Sequence, residues 1–126
     1  MRRNTSVKIF SALATLVTVD ILSSWVAAQN EMPNVIRGAA IYEQHCLRCH
    51  GINGDGNGPD SKFLIVPPAN FQDARFSLKS EWEMLSIISH GIIFSPMHGW
   101  QNRLSEEEML DVLSYVRKLA AMGSIT

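Results

Sequence analysis

Cysteine is scarce in this chain, with two in 126 residues, too few for the disulfide framework that staples small secreted folds. Charge is scarce as well. Only 18% of residues are Asp, Glu, Lys or Arg, and they balance to a formal net charge of −1 with no basic run beyond the first few residues. That argues against a nucleic-acid partner, whose binding rests on neutralising phosphates. The length suits one domain and leaves no room for a second or for a large enzyme scaffold. No internal repeat or low-complexity tract is visible, and nowhere does strand-like patterning alternate with helix. Nor does a catalytic acid, base or nucleophile set stand out, because the carboxylates fall mostly on helix faces and Ser80 and Ser105 read as helix caps.

What is present begins with a basic start, Arg2, Arg3 and Lys8, followed by the apolar stretch 9–28 that closes on Val26-Ala27-Ala28 before Gln29. This is the layout of an export signal, so residues 1–28 are expected to be a signal peptide cleaved after Ala28, and the protein is expected to be periplasmic. An uncleaved membrane anchor is the alternative, since twenty residues just span a bilayer. Asp20 disfavours it, because a carboxylate near the middle of a span costs about 2.5–3.5 kcal/mol on insertion scales. A buried core helix is a third reading of the segment. Cleavage leaves residues 29–126 as one domain of 98 residues, with eight basic and eleven acidic side chains and a net charge of −3. So small a chain often needs an internal staple.

Both cysteines lie in Cys46-Leu47-Arg48-Cys49-His50, the CxxCH spacing of covalent haem attachment. One helical turn puts the two thiols on the same side, where each can add to a haem vinyl group, and His50 then points at the iron. The rival readings fit less well. A thioredoxin-like CxxC needs an adjoining βαβ pattern, a zinc site needs further ligands at recognisable spacing, and a Cys46–Cys49 disulfide would close a tiny strained loop and leave His50 unexplained.

On these residues the chain resembles the bacterial class I, single-haem c-type cytochromes, over residues 34–122. Gly38 and Tyr42 stand where that family has a small residue and an aromatic, and the resemblance places them on an N-terminal helix crossed by the C-terminal one. The glycine-rich run 51–58 with Pro59 is similar to the family's loop after the haem-binding histidine, and implies that the Pro59 carbonyl accepts a hydrogen bond from His50 Nδ1. The implied fold is all-α, a cytochrome c fold of three to five short helices wrapped around one covalently bound haem.

Periodicity and capping signals outline those helices. Asn34 is a candidate N-cap for a helix from about residue 35 into the haem motif, with Val35, Ala39, Tyr42 and Cys46 at helical spacing. Residues 51–70 are rich in Gly and Pro and read as loop, with a turn at 60–65. Ser80 and Glu83 form a capping box for a helix through His90 that Gly91 stops in the αL conformation, with Leu85, Ile88 and Met84 facing inward. Ser105 and Glu108 form a second box, with Leu104 and Met109 as its hydrophobic staple. On this last helix Met109, Val112, Leu113, Val116 and Ala120 make an apolar stripe, Glu106, Glu107, Asp111, Arg117 and Lys118 are expected to be solvated, and the acidic first turn and basic last turn suit the dipole.

A second axial ligand must lie beyond the loop on a non-helical segment, which narrows six methionines to Met97, in Ser95-Pro96-Met97-His98. Met84 reads as core filler on its helix. The segment resembles the family's ligand loop, with the departure that its proline immediately precedes the methionine. The expected haem c set, one iron per chain, is therefore Cys46, Cys49, His50 and Met97, with His50 and Met97 on the iron. His98 and His90 are the competing ligands, and His45 reads as solvent-facing. Trp100, Phe71, Phe76 and Leu64 wall either a haem pocket or the ordinary core. Arg48, Lys62, Arg75 and Lys79 are candidate propionate partners or simply exposed charge. The expected role is a one-electron carrier that docks transiently on redox partner proteins, with membrane contact only if the N-terminal segment stays attached. The alternatives are a haem subunit of a larger complex and a gas-binding sensor.

Overall fold

A computed structural model describes residues 32–123, so the proposed signal segment 1–28 lies outside the described residues. Asn34 opens the first helix. Its Oδ1 accepts from the backbone N–H groups of Ile36 and Arg37 at 3.0 and 3.1 Å, satisfying donors that a helix start leaves unpaired. Helix α1 (Val35–His45) buries Gly38, Ile41 and Tyr42 on one face. Helix α2 (Leu47–His50) follows after a single residue, Cys46, whose N–H still bonds back to the Tyr42 carbonyl at 2.8 Å. The two helices thus form one bent run that carries the CxxCH motif at its end.

The glycine loop then turns back, and Tyr42 Oη donates to the Gly51 carbonyl at 2.6 Å, tying the loop to α1. A 3₁₀ turn at Ser61–Phe63 falls within the expected turn. Beyond Pro67 and Pro68 comes a short helix α3 (Ala74–Ser77), capped by Asp73 and not anticipated from the pattern. Helix α4 (Glu81–His90) has Ser80 as its N-cap, accepting from Glu83 N–H at 3.1 Å. Only half of that capping box forms, because the Glu83 carboxylate pairs with Lys79 instead. Gly91 ends α4 at φ +78°, ψ −168°, a positive φ as expected, but in a glycine-only region and not in αL. At Ser105 the box is complete: Ser105 N–H donates to Glu108 at 2.8 Å and Glu108 N–H to Ser105 Oγ at 3.2 Å.

Helix α5 (Glu106–Gly123) packs on α1 in the most extensive helix contact among the described residues, and α4 packs on α5 as well. Ile41 and Tyr42 meet Val112, Val116 and Leu119 there, and Leu104 and Met109 are both buried as the staple requires. The backbones cross so closely that a methyl on Gly38 would overlap the Asp111 carbonyl. Three expectations for α5 are corrected. Arg117 is half-buried, not solvated, with Nη2 donating to the Lys79 carbonyl at 2.6 Å. Asp111 is fully buried, not solvated. Its carboxylate faces α1, accepting from Asn34 N–H at 2.6 Å and from Arg37 Nε, and Arg37 also bridges to Glu107. The last turn carries no basic residue, because the helix continues five residues past Lys118. The described residues contain five α-helices and no strand, only an isolated antiparallel bridge between Gly91 and His98. No helix among them is long and apolar enough to cross a membrane.

Candidate haem site

Between these elements lies an apolar cavity of about 250 Å³ whose lining includes Cys46, Cys49, His50 and Met97. Its walls are almost wholly apolar and partly open to solvent, a lining that is costly to leave against water. A fold that builds such a space is adapted to a large apolar group.

The bent α1–α2 run places the motif. Cys46 and Cys49 lie half-buried at the cavity wall with no disulfide between them. Burial pushes the Cys46 thiol up to about 12, with the neighbouring Cys49 adding to the effect. Burial also lowers the proton affinity of His50 below the ordinary imidazole value, outweighing the opposite pull of its Ala69 carbonyl contact. The ring is thereby favoured in the neutral form that a metal ligand needs. His50 Nδ1 lies 3.3 Å from the Ala69 carbonyl. The Pro59 carbonyl implied by the family resemblance does not take that place: Ala69, just after Pro67-Pro68, does. The Phe71 ring lies on the imidazole, centroids 4.8 Å apart and planes 23° from parallel.

Met97 reaches the cavity from a small closed loop. Ile92 N–H donates to the Met97 carbonyl at 2.9 Å, Ser95 N–H closes a turn onto the Ile92 carbonyl at 3.1 Å, and Met97 N–H donates to Ser95 Oγ at 3.1 Å. Trp100 N–H, on the Ile88 carbonyl at 2.9 Å, ties the loop's far end to α4. The thioether thus sits on a segment whose backbone is fixed but which lies outside the helices. Met84 enters the same cavity from α4 and is 3% exposed, so the core reading and a place beside the cofactor space hold together for it.

The remaining candidates separate. His98 is exposed, lines the cavity edge, lies against Trp100 at 4.6 Å and has Nε2 3.4 Å from Arg103. His45 is also exposed, with its ring 5.0 Å from Trp100. His90 contacts the Ser86 carbonyl within its own helix and does not line the cavity. Trp100, Phe71, Phe76 and Leu64 all line it, and the first three also belong to or pack against the buried core, so pocket and core are one structure here. Of the four cationic candidates, Lys79 alone lines the cavity. Arg48 is held by Asp60 at 2.7 Å, Arg75 by Asp73 at 2.8 Å, and Lys62 lies over Phe63. Sequence reasoning missed the Ala69 carbonyl and the stacking of Phe71. The only local signal was the Pro67-Pro68 pair, which forces extended backbone just upstream.

The residues present fit a covalent haem. Two thiols one turn apart, a neutral imidazole and a soft thioether converge on one apolar space, the donor set of a c-type centre. When bound, the haem supplies a one-electron iron couple. The chain's own contributions would be to bring these donors to one space and to exclude water with apolar walls.

Comparison with known proteins points the same way. The cytochrome c family matches residues 35–120. A cytochrome c6-like protein of Nostoc sp. is 31% identical over 111 residues, covering 86% of this chain and 91% of that one. The chloroplastic cytochrome c6 of Chlamydomonas reinhardtii is 30% identical over 110 residues, covering 87% and 70%. A thiosulfate dehydrogenase of Allochromatium vinosum is 31% identical over 88 residues, but these span 67% of this chain and only 31% of the enzyme. Among solved structures, a chain of the reducing HAO-like protein complex of Kuenenia stuttgartiensis superposes with a TM-score of 0.63 at 26% identity, over 71% of this chain and 45% of that chain.

Proposed function

The chain belongs to the cytochrome c family of haem electron-transfer proteins, and on that premise we propose that it is a periplasmic one-electron carrier with a single haem c and His50 and Met97 on the iron. One observation carries the reading: Cys46, Cys49 and His50 from the N-terminal half and Met97 from the C-terminal half border the same apolar cavity. With His50 and Met97 both serving as ligands, the chain would leave no position for a substrate, and a haem held there would supply one-electron chemistry alone. Thioether ligation favours reduced iron and raises the potential. Electrons would pass at the cavity mouth. There the lining residues Val66 and Ile92 continue into Ile65, Ile93 and Phe94, which are almost wholly in solvent, an apolar rim suited to brief, small-area docking on a redox partner.

Covalent attachment is tested by denaturing gel electrophoresis with haem-peroxidase staining. A stained band near the mature mass is expected, with loss of stain in Cys46→Ala/Cys49→Ala, and an unstained wild-type band would end the proposal. A second reading, a haem subunit held in a larger assembly, draws support from the Kuenenia neighbour, which belongs to a complex and of which this chain spans less than half. Size-exclusion of native extract separates the two: elution near the mass of the single chain supports the free carrier, elution with a large assembly the subunit.

A further inference from the structure

We propose that Phe71 is a positioning residue for the iron ligand His50, its ring fixing the plane of the imidazole and keeping Nδ1 on the Ala69 carbonyl. The inference rests on the reading of His50 as an iron ligand and concerns what sets that ligand's orientation. An imidazole on a flexible Cβ–Cγ bond has a rotational freedom that a single hydrogen bond restrains poorly, and the 3.3 Å contact to Ala69 is long enough for a small rotation to break it. A second restraint, on the ring face, is what the structure supplies. Phe71 lies 4.8 Å from His50 with planes 23° from parallel, whereas its contacts with Tyr42 and Phe76 are tilted at 65° and 36°. The near-parallel contact is thus specific to the imidazole.

Ala69 and Phe71 stand two residues apart on one segment, so a carbonyl at the ring edge and an aromatic face against the ring are delivered together. That segment is itself anchored. Phe71 N–H donates to the Gly54 carbonyl at 2.7 Å, and Gln72 Nε2 donates to the Asn53 carbonyl at 3.1 Å. Gly54, at φ +69°, has no room for a side chain, because a Cβ there would press on the Phe71 ring. The glycine loop that follows the motif therefore acts as a seat for Phe71, and the His50 imidazole is held on edge and face by one short segment. Metal-bound imidazoles are commonly oriented by what their second nitrogen bonds, and here the stacked ring preserves that bond.

The consequence is electronic as well as geometric. A carbonyl accepting from Nδ1–H makes the imidazole a stronger donor and favours oxidised iron. Releasing the ring from the carbonyl should raise the reduction potential, and freeing its plane should alter the pattern of paramagnetically shifted haem-methyl resonances. The test uses the holoprotein, comparing wild type with Phe71→Leu, Phe71→Met, Phe71→Tyr and Leu113→Ala. Leu113 is buried on α5 away from the cavity lining and gives a destabilised variant that does not touch His50. Phe71→Leu, or Phe71→Met if the leucine variant does not accumulate, is expected to redistribute the methyl shifts of the oxidised protein and raise the potential. Phe71→Tyr keeps the flat face and should retain the wild-type pattern. Leu113→Ala should lower the melting temperature with methyl pattern and potential unchanged. If the non-aromatic variants lose stability as Leu113→Ala does while keeping both readouts, Phe71 is only core and the proposal is overturned. If wild type shows no low-spin shifted haem methyls at all, the ligand reading of His50 falls first and this inference with it.

Discussion

Gly38→Ala is the substitution for which local and tertiary physics make opposite predictions. In a helix interior alanine is favoured over glycine by about 1 kcal/mol, so α1 considered by itself gains. The crossing with α5 reverses the sign. The added methyl would overlap the Asp111 carbonyl and lie 3.1 Å from Val112 N, and these obstacles are backbone, so no side-chain rotation relieves them. Relief requires α5 to move off α1, loosening the Ile41, Tyr42, Val112 and Val116 contacts and stretching the 2.6 Å bond from Asn34 N–H to Asp111. Overpacking costs typically 1–3 kcal/mol, and an immovable obstacle belongs at the top of that range; weakening a hydrogen bond adds about 1 kcal/mol. Set against the propensity gain, the net is a loss of about 2–3 kcal/mol. For a domain of this size each kcal/mol moves the melting temperature by roughly 4–8 °C, so the midpoint should fall by about 10–20 °C. Far-UV circular dichroism of the holoprotein on heating measures it. Gln44→Gly, at an exposed position of the same helix, reports propensity alone and should lose no more than about 1 kcal/mol. A Gly38→Ala midpoint at or above wild type would refute the close crossing.

Other expectations follow from the site. Met97→Ala should abolish the far-red sulfur-to-iron absorption band, lower the potential and let carbon monoxide bind, whereas Met84→Leu, a volume-conserving change in the cavity wall, should keep the band at a cost below about 1.5 kcal/mol. Wild type that binds carbon monoxide as readily as Met97→Ala would favour the gas-sensing alternative. Phe94 is 98% exposed at φ +61°, so Phe94→Asn, which tolerates that conformation, should raise the urea midpoint by the equivalent of up to about 1 kcal/mol. A fall instead would mean that the Phe94 ring contributes packing energy. N-terminal sequencing of the mature protein should begin at Gln29, and an intact Met1 in the membrane fraction would indicate an anchored protein.

Much of the helical framework was legible because its determinants are local. Asn34, Ser80 and Ser105 each cap a helix through bonds spanning two or three residues, and such bonds need nothing from the rest of the chain. The glycines and prolines of 51–70 marked the loop for the same reason, and the family resemblance located Gly38 and Tyr42 at the helix crossing. Where the reading failed, a distant partner decided. Asp111 reads as solvated from its charge alone, but residues 34 and 37 bring an N–H and a guanidinium to it across the crossing. Glu83 was expected to complete a capping box, and Lys79 claimed it.

The composition and the CxxCH spacing by themselves determined the class of the protein and its cofactor, since the chemistry of covalent attachment needs those residue types within one helical turn. Tertiary structure alone decided that Ala69, not Pro59, faces the His50 imidazole, that Phe71 lies on it, that Lys79 is the candidate cation that reaches the cavity, and that Met84 lines the same cavity as Met97. Each of these depends on which segments the chain returns to one place. The return is fixed by the burial of the α1–α5 interface and by the glycine loop's hydrogen bonds, contacts between residues too far apart in sequence for any local pattern to encode.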